Sequence, residues 1–165
     1  MHSLLKIAQG AVETYVRRME VIGPQNLFPE PGAAFVSLYL HGRLRGCMGT
    51  IEPTKPSLEE EVIANAISAA TRDPRFPPVQ VFELKDLKYS VDVLSPLEEV
   101  ETIDQLDPAQ YGVVVSYGAL RGVLLPRLPG VDCPREQVRI AKEKAGIPPG
   151  VSYRLARFKV HRYSQ

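Results

Sequence analysis

The chain has 165 residues, 44% of them hydrophobic, with 20 basic against 19 acidic side chains and a formal net charge of +1. Such a chain buries roughly 70% of its unfolded surface and needs no metal or disulfide to hold a core. Its near-neutral balance lacks the broad basic footprint of a protein that coats nucleic acid.

The opening residues carry Leu4, Ile7, Ala8, Ala11, Val12, Tyr15, Val16 and Met19 at three- and four-residue steps, which predicts an amphipathic helix with Ser3 as N-cap and Gly23-Pro24 as its stop. The same stretch has no uninterrupted apolar core of signal-peptide type, and no window approaches bilayer length. A proline-punctuated loop, PQNLFPEPG, leads to AAFVSLYL, whose alternation reads as a strand. His41, Gly42 and Arg43 supply a turn, and LRGCMGTI returns as the second arm of a hairpin.

Ser57 followed by Glu60 forms a capping-box pattern before an alanine-rich helix, which ends in the stiff loop RDPRFPPV. LKYSVDVLSP is the next strand, and the acidic LEEVETIDQLDPAQ a connection with a short helix. YGVVVSYGALRGVLLP predicts a second hairpin turning near Gly118, and a third helix spans about 134 to 145, with Pro134 in its first turn and Gly146 after it. SYRLARFKVHRY closes the chain as an alternating strand. Hairpins mixed with three separated helices indicate an α+β fold rather than a doubly wound parallel sheet. A faint internal echo, LRG at 44–46 and again at 120–122, follows an apolar strand in each place.

The hairpin register decides where Cys47 points, because a one-residue slip sends every side chain to the other face. Placing Leu44 and Met48 beside the core-facing Val36, Leu38 and Leu40 pairs Leu40 with Leu44 across a 41–43 loop. Cys47 then stands opposite Ser37, and Arg45 opposite Tyr39, on the face away from the core. A two-residue Gly42-Arg43 turn would instead bury Cys47 against Leu38. In the first register the neighbouring Arg45 would lower the thiol pKa, and Gly46 and Gly49 would admit a ligand or another backbone. Inert packing, ligand binding and nucleophilic chemistry are the three roles open to Cys47.

Arg72, Asp73 and Arg75 crowd a proline-fixed loop, either as a local ion pair with solvated arginines or as a clamp for a carboxylate or phosphate. Ser90 and Asp92 share one face of their strand, and Asp92 becomes a candidate acid, base or orienting group if that face meets Cys47. The row Arg157, Lys159, His161 reads as a protected sheet edge. Cys133, the other cysteine, sits at a helix start and has no expected role. Neither cysteine belongs to a CxxC pair or a zinc-like cluster, so no metal or other cofactor is expected, and a reduced, cytoplasmic setting is the simpler reading.

LRGCMGT, RDPRFPPV, SVDVLSP, GVLLP and AKEKAGIP, in this order over nearly the whole chain, strongly resemble the AMMECR domain family. The resemblance implies one domain over 1–165, made of two unequal, interleaved subdomains with the signature hairpin facing a cleft between them. By motif it carries over Arg45, Gly46, Cys47, Gly49, Arg72, Asp73 and Arg75, and implies no established reaction. It also implies association with a Memo-type protein and a radical SAM enzyme. Three expectations result. The first is a small anionic or peptide-like ligand bound at Tyr39, Arg45, Gly46, Gly49, Arg72, Asp73 and Arg75, with Cys47 lining the site or acting as a nucleophile. The alternatives are a non-catalytic partner module and, less favoured, a nucleic-acid-binding strand.

Overall fold

The computed structural model describes residues 1–165 and divides them into two units, residues 1–94 with 161–165 and residues 95–160. In the first unit the apolar stripe Leu4, Leu5, Ile7, Ala8, Ala11 and Val12 is buried along α1 (Ser3–Arg18). The cap is His2 rather than Ser3: its Nδ1 accepts the Leu4 N–H at 3.2 Å. The helix also stops earlier than Gly23-Pro24, where Met19 turns left-handed at φ 58°.

Strands β1 (Ala33–Leu40) and β2 (Arg43–Gly49) form the predicted hairpin, and α2 (Leu58–Thr71) follows. Ser57 caps α2 as its spacing predicts, accepting the Glu60 N–H while donating its hydroxyl to the Glu60 carboxylate. Two neighbouring acids are buried for a different reason. Glu59 accepts the N–H groups of Gln25 and Leu27, and Glu61 those of Thr54 and Lys55, so the helix start pins both flanking loops. After a 3-10 turn at Val81–Asp86, β3 (Leu87–Leu94) pairs with β1. The sheet order is β2-β1-β3-β8. Val36, Leu38, Tyr89 and Val91 lie on its buried side, in one core cluster with α1 and α2.

Turn chemistry and core parity conflict within this hairpin. His41 (φ 50°) and Gly42 (φ 77°) make a two-residue turn of the primed kind, which sets Leu40 opposite Arg43 and Tyr39 opposite Leu44. The apolar pattern requires the other register farther out, where Val36 faces Met48 and Ser37 faces Cys47. A β-bulge absorbs the difference, and Arg45 is the residue left without a partner strand position. The expected placement of Cys47 is therefore correct, whereas the 41–43 loop, the Leu40–Leu44 pairing and the Arg45–Tyr39 pairing are not.

The second unit repeats the arrangement at smaller scale. Strands β5 (Gly112–Tyr117) and β6 (Leu120–Leu124) form a hairpin, α3 (Pro134–Ala145) follows, and β7 (Arg154–Phe158) pairs with β5. A short strand, β4 (Glu98–Val100), borders β7, so the order β6-β5-β7-β4 reproduces that of the first sheet. The connection expected to hold one short helix thus contains a strand as well as the 3-10 turn Ile103–Gln105. The closing segment is two strands rather than one: β7 serves the second sheet, and β8 (Val160–Ser164) the first. That break at Lys159 dissolves the supposed basic row, with Arg157 gripping Glu98 and His161 lying against the Tyr163 ring.

Candidate functional site

On the face of the first sheet opposite its helices, Cys47, Ser37 and Ser90 stand side by side across β2, β1 and β3. The next row on that face is Gly49, Phe35 and Asp92. Ser37 Oγ lies 3.2 Å from Cys47 Sγ. Both serines are buried, Asp92 is 2% exposed and Cys47 half-buried. The Asp92 face does meet the Cys47 face, the condition under which sequence parity made Asp92 a candidate.

Two buried aspartates bracket the thiol. Asp73 Oδ2 accepts the Cys47 N–H at 3.0 Å, and the same carboxylate takes the Arg75 N–H and, through both oxygens, the Arg75 guanidinium at 3.0 and 2.8 Å. Pro74 fixes the chain between the two residues, so a local turn delivers its carboxylate to the neighbouring strand. The Arg75 hydrogen bonds, with help from the Cys47 amide, hold the Asp73 carboxyl well below the usual carboxylate range. Asp92 is gripped in the same fork geometry by Arg162 of β8, with both contacts at 2.6 Å. In each pair the acid is buried, while the Arg75 and Arg162 side chains are 57% and 50% exposed.

Burial pushes the Cys47 thiol above its ordinary value; the Ser37 hydrogen bond and Arg75 pull the other way, and Asp92 and Asp73 reinforce the rise. The expected activation by Arg45 fails for a geometric reason. Displaced by the bulge, Arg45 turns to Glu83 with contacts at 2.8 and 3.1 Å, its side chain 12% exposed. Glu83 also caps the 3-10 turn by accepting the Gln80 N–H, so Arg45 braces β2 against that turn.

The room at both motif glycines is filled from within the chain. A Cβ on Gly46 would come within 2.1 Å of the Ala69 carbonyl oxygen in α2, and one on Gly49 within 2.3 Å of the Phe35 ring. Tyr39 is half-buried one row beyond Ser37, opposite Lys88. Arg72 diverges from Arg75: it caps α2 and lines a separate cavity of about 410 Å³ with Tyr15, Met19 and Val79. Of the predicted residues, Cys47, Asp73 and Arg75 converge, while Arg45 and Arg72 lie elsewhere. No group of three His, Cys, Asp or Glu side chains is placed to hold a metal ion.

Sequence reasoning missed Arg162. Its signal was an arginine of the same parity as Val160 near a strand end, matched by an aspartate inside the apolar run SVDVL.

A family model described as AMMECR1 matches residues 5–165. The chain is 50% identical to a protein of Thermotoga maritima, over 98% of this chain and 97% of the relative. A Clostridium acetobutylicum protein is 47% identical over 79% of the chain, which covers only 28% of that longer relative. The crystal structure of an uncharacterized protein from Pyrococcus horikoshii matches with a TM-score of 0.90 at 30% identity, over 98% of this chain and 89% of the other.

Proposed function

The chain belongs to the AMMECR1 family, and on that premise we propose that it binds a small anionic or peptide-like ligand over the Cys47 row. The observation that carries this reading is the pair of half-exposed guanidiniums, Arg75 and Arg162, each locked by a buried aspartate and both within electrostatic reach of one thiol. In both arginines Nε and Nη2 serve the aspartate, which leaves the outer edge, with Nη1, to meet a ligand. Fixing a flexible cation before the ligand arrives removes part of the ordering cost of binding. Two aspartates balance two arginines, a charge pattern that suits a zwitterionic peptide terminus as well as a simple anion.

The thiol's part follows from its raised pKa. At neutral pH Cys47 is protonated and lines the site as a small polarizable wall, not as a standing thiolate. The test is calorimetric titration with inorganic phosphate, succinate and glycylglycine. One of these classes should saturate the protein and slow iodoacetamide alkylation of Cys47. Arg75→Gln or Arg162→Gln should each weaken that binding about tenfold. Saturation by none of the three, or affinities unmoved by both substitutions, overturns the reading.

The Clostridium relative, in which this chain corresponds to 28% of the length, favours a second reading as a module working beside other protein domains. Memo-type and radical SAM proteins are the proposed partners. Their co-purification should survive Cys47→Ser, and failure of both to bind at micromolar concentration removes this reading.

A further inference from the structure

In the second unit a cavity of about 430 Å³ opens along α3, well within the size range of small-molecule sites. Its floor is the rim of that unit's core, formed by Ile103, Val138 and Ile147, with Tyr153 as a wall and the exposed Pro149 at its edge. The charged lining comes from α3, where Arg135, Arg139 and Lys142 recur at three- and four-residue steps and so share one stripe, with the carboxylate of Glu143 beside them.

These cations are not equivalent. Arg139 is spent within its own helix: it holds Glu136 three residues back and Glu143 four residues on, so both carboxylates on this stripe are already paired. Arg135 and Lys142 have no carboxylate against them, and their charge is left uncompensated at the mouth of an apolar floor. Lys142 Nζ is held 4.5 Å from the centroid of the Tyr153 ring, which fixes one ammonium above the aromatic wall.

We propose that this cavity is a second ligand site, selective for a small amphipathic carboxylate. The apolar body of the ligand rests on Ile103, Val138 and Ile147 beside Tyr153, and its carboxylate lies between Arg135 and Lys142. This assignment is independent of the Cys47 site, since all its residues belong to residues 95–160.

The probe is 2-naphthoate, whose fluorescence is well separated in a protein without tryptophan, with neutral 2-naphthalenemethanol as the comparator. On the full chain 2-naphthoate should bind saturably, and the neutral comparator about tenfold more weakly. Arg135→Gln and Lys142→Gln should each cost about fivefold for the anion and leave the alcohol unmoved, with unchanged thermal melts as the folding control. The Cys47 alkylation rate should not respond to saturating 2-naphthoate. Equal affinity for anion and alcohol, no saturable binding at millimolar concentration, wild-type affinity in the double variant, or loss of binding in Arg75→Gln would each overturn the proposal.

Discussion

The two units share one wiring, a hairpin, a helix and a strand laid against the first arm, and they differ where chemistry would reside. In both, the glycine of an LRG triplet faces a helix carbonyl: a Cβ would stand 2.1 Å from Ala69 O at Gly46, and 1.9 Å from Ala141 O at Gly122. The repeated triplet is thus a packing device that lets a strand approach a helix backbone. One residue later the units part. Cys47, Ser37 and Ser90 form a polar row in the first, whereas Val123, Val114 and Ala156 occupy the matching row in the second. The first hairpin alone carries a bulge, which commits Arg45 to Glu83, while the second keeps one register to its turn. The comparison separates the glycine of LRGC, needed for the fold in either unit, from the cysteine, which the fold does without in the second.

The strongest way to break that comparison is at the glycines. Gly46→Ala and Gly122→Ala should each cost roughly 3 kcal/mol in urea unfolding, because the helix backbone must move to admit a methyl group. A negligible cost at either position would end the equivalence of the two contacts. The edge strands sharpen it next, since each unit ties its outer strand by a forked arginine, Arg162 to Asp92 in one and Arg157 to Glu98 in the other. Arg162→Ala leaves a buried carboxylate unpaired and should cost about 2 kcal/mol, reduced from the fully buried case because water reaches the arginine. Arg157→Ala, whose acid partner is 59% exposed, should change stability little in the same assay.

A pH series isolates Asp73, whose carboxylate holds the Cys47 amide in the first unit. Its folded pKa lies below its unfolded value of about 3.9, so its contribution is complete above that value and disappears as pH falls through the folded pKa. Asp73→Asn should therefore be less stable than wild type at pH 7, with the gap closing as the pH drops below about 4. The smallest effect is expected from converting one row into the other. Ser37→Val, Cys47→Val and Ser90→Ala together should alter stability by about 1 kcal/mol or less while abolishing ligand binding over β2, measured by the same calorimetric titration. A large loss of stability would mean that the polar row is structural.

Much of this was legible from local rules. The Ser57 cap, the bounds of α3 and the Ser37–Cys47 pairing follow from spacing and parity, because each depends on residues close in sequence or on one buried face. Arg45 was misplaced because two local rules disagreed: the turn favoured one register and the core the other, and the bulge that reconciles them falls on the arginine. Arg162 was out of reach because its partner lies 70 residues away and its strand leaves one sheet for the other at Lys159. Periodicity carries no record of such a change of sheet. Divergence of Arg72 from Arg75 followed from the helix ending at Thr71, which leaves Arg72 at the cap and Asp73 already turned toward β2.

The position of β8 has a consequence for how the protein is made. Its residues leave the ribosome after those of every other strand in both sheets, yet they complete the sheet that began with β1. Until they arrive, β3 waits with an open edge, and Asp92 waits without its cation. The second unit is synthesised entirely within that interval. A chain stopped before β8 would contain nearly all of both units and would still lack the arginine that finishes the candidate site.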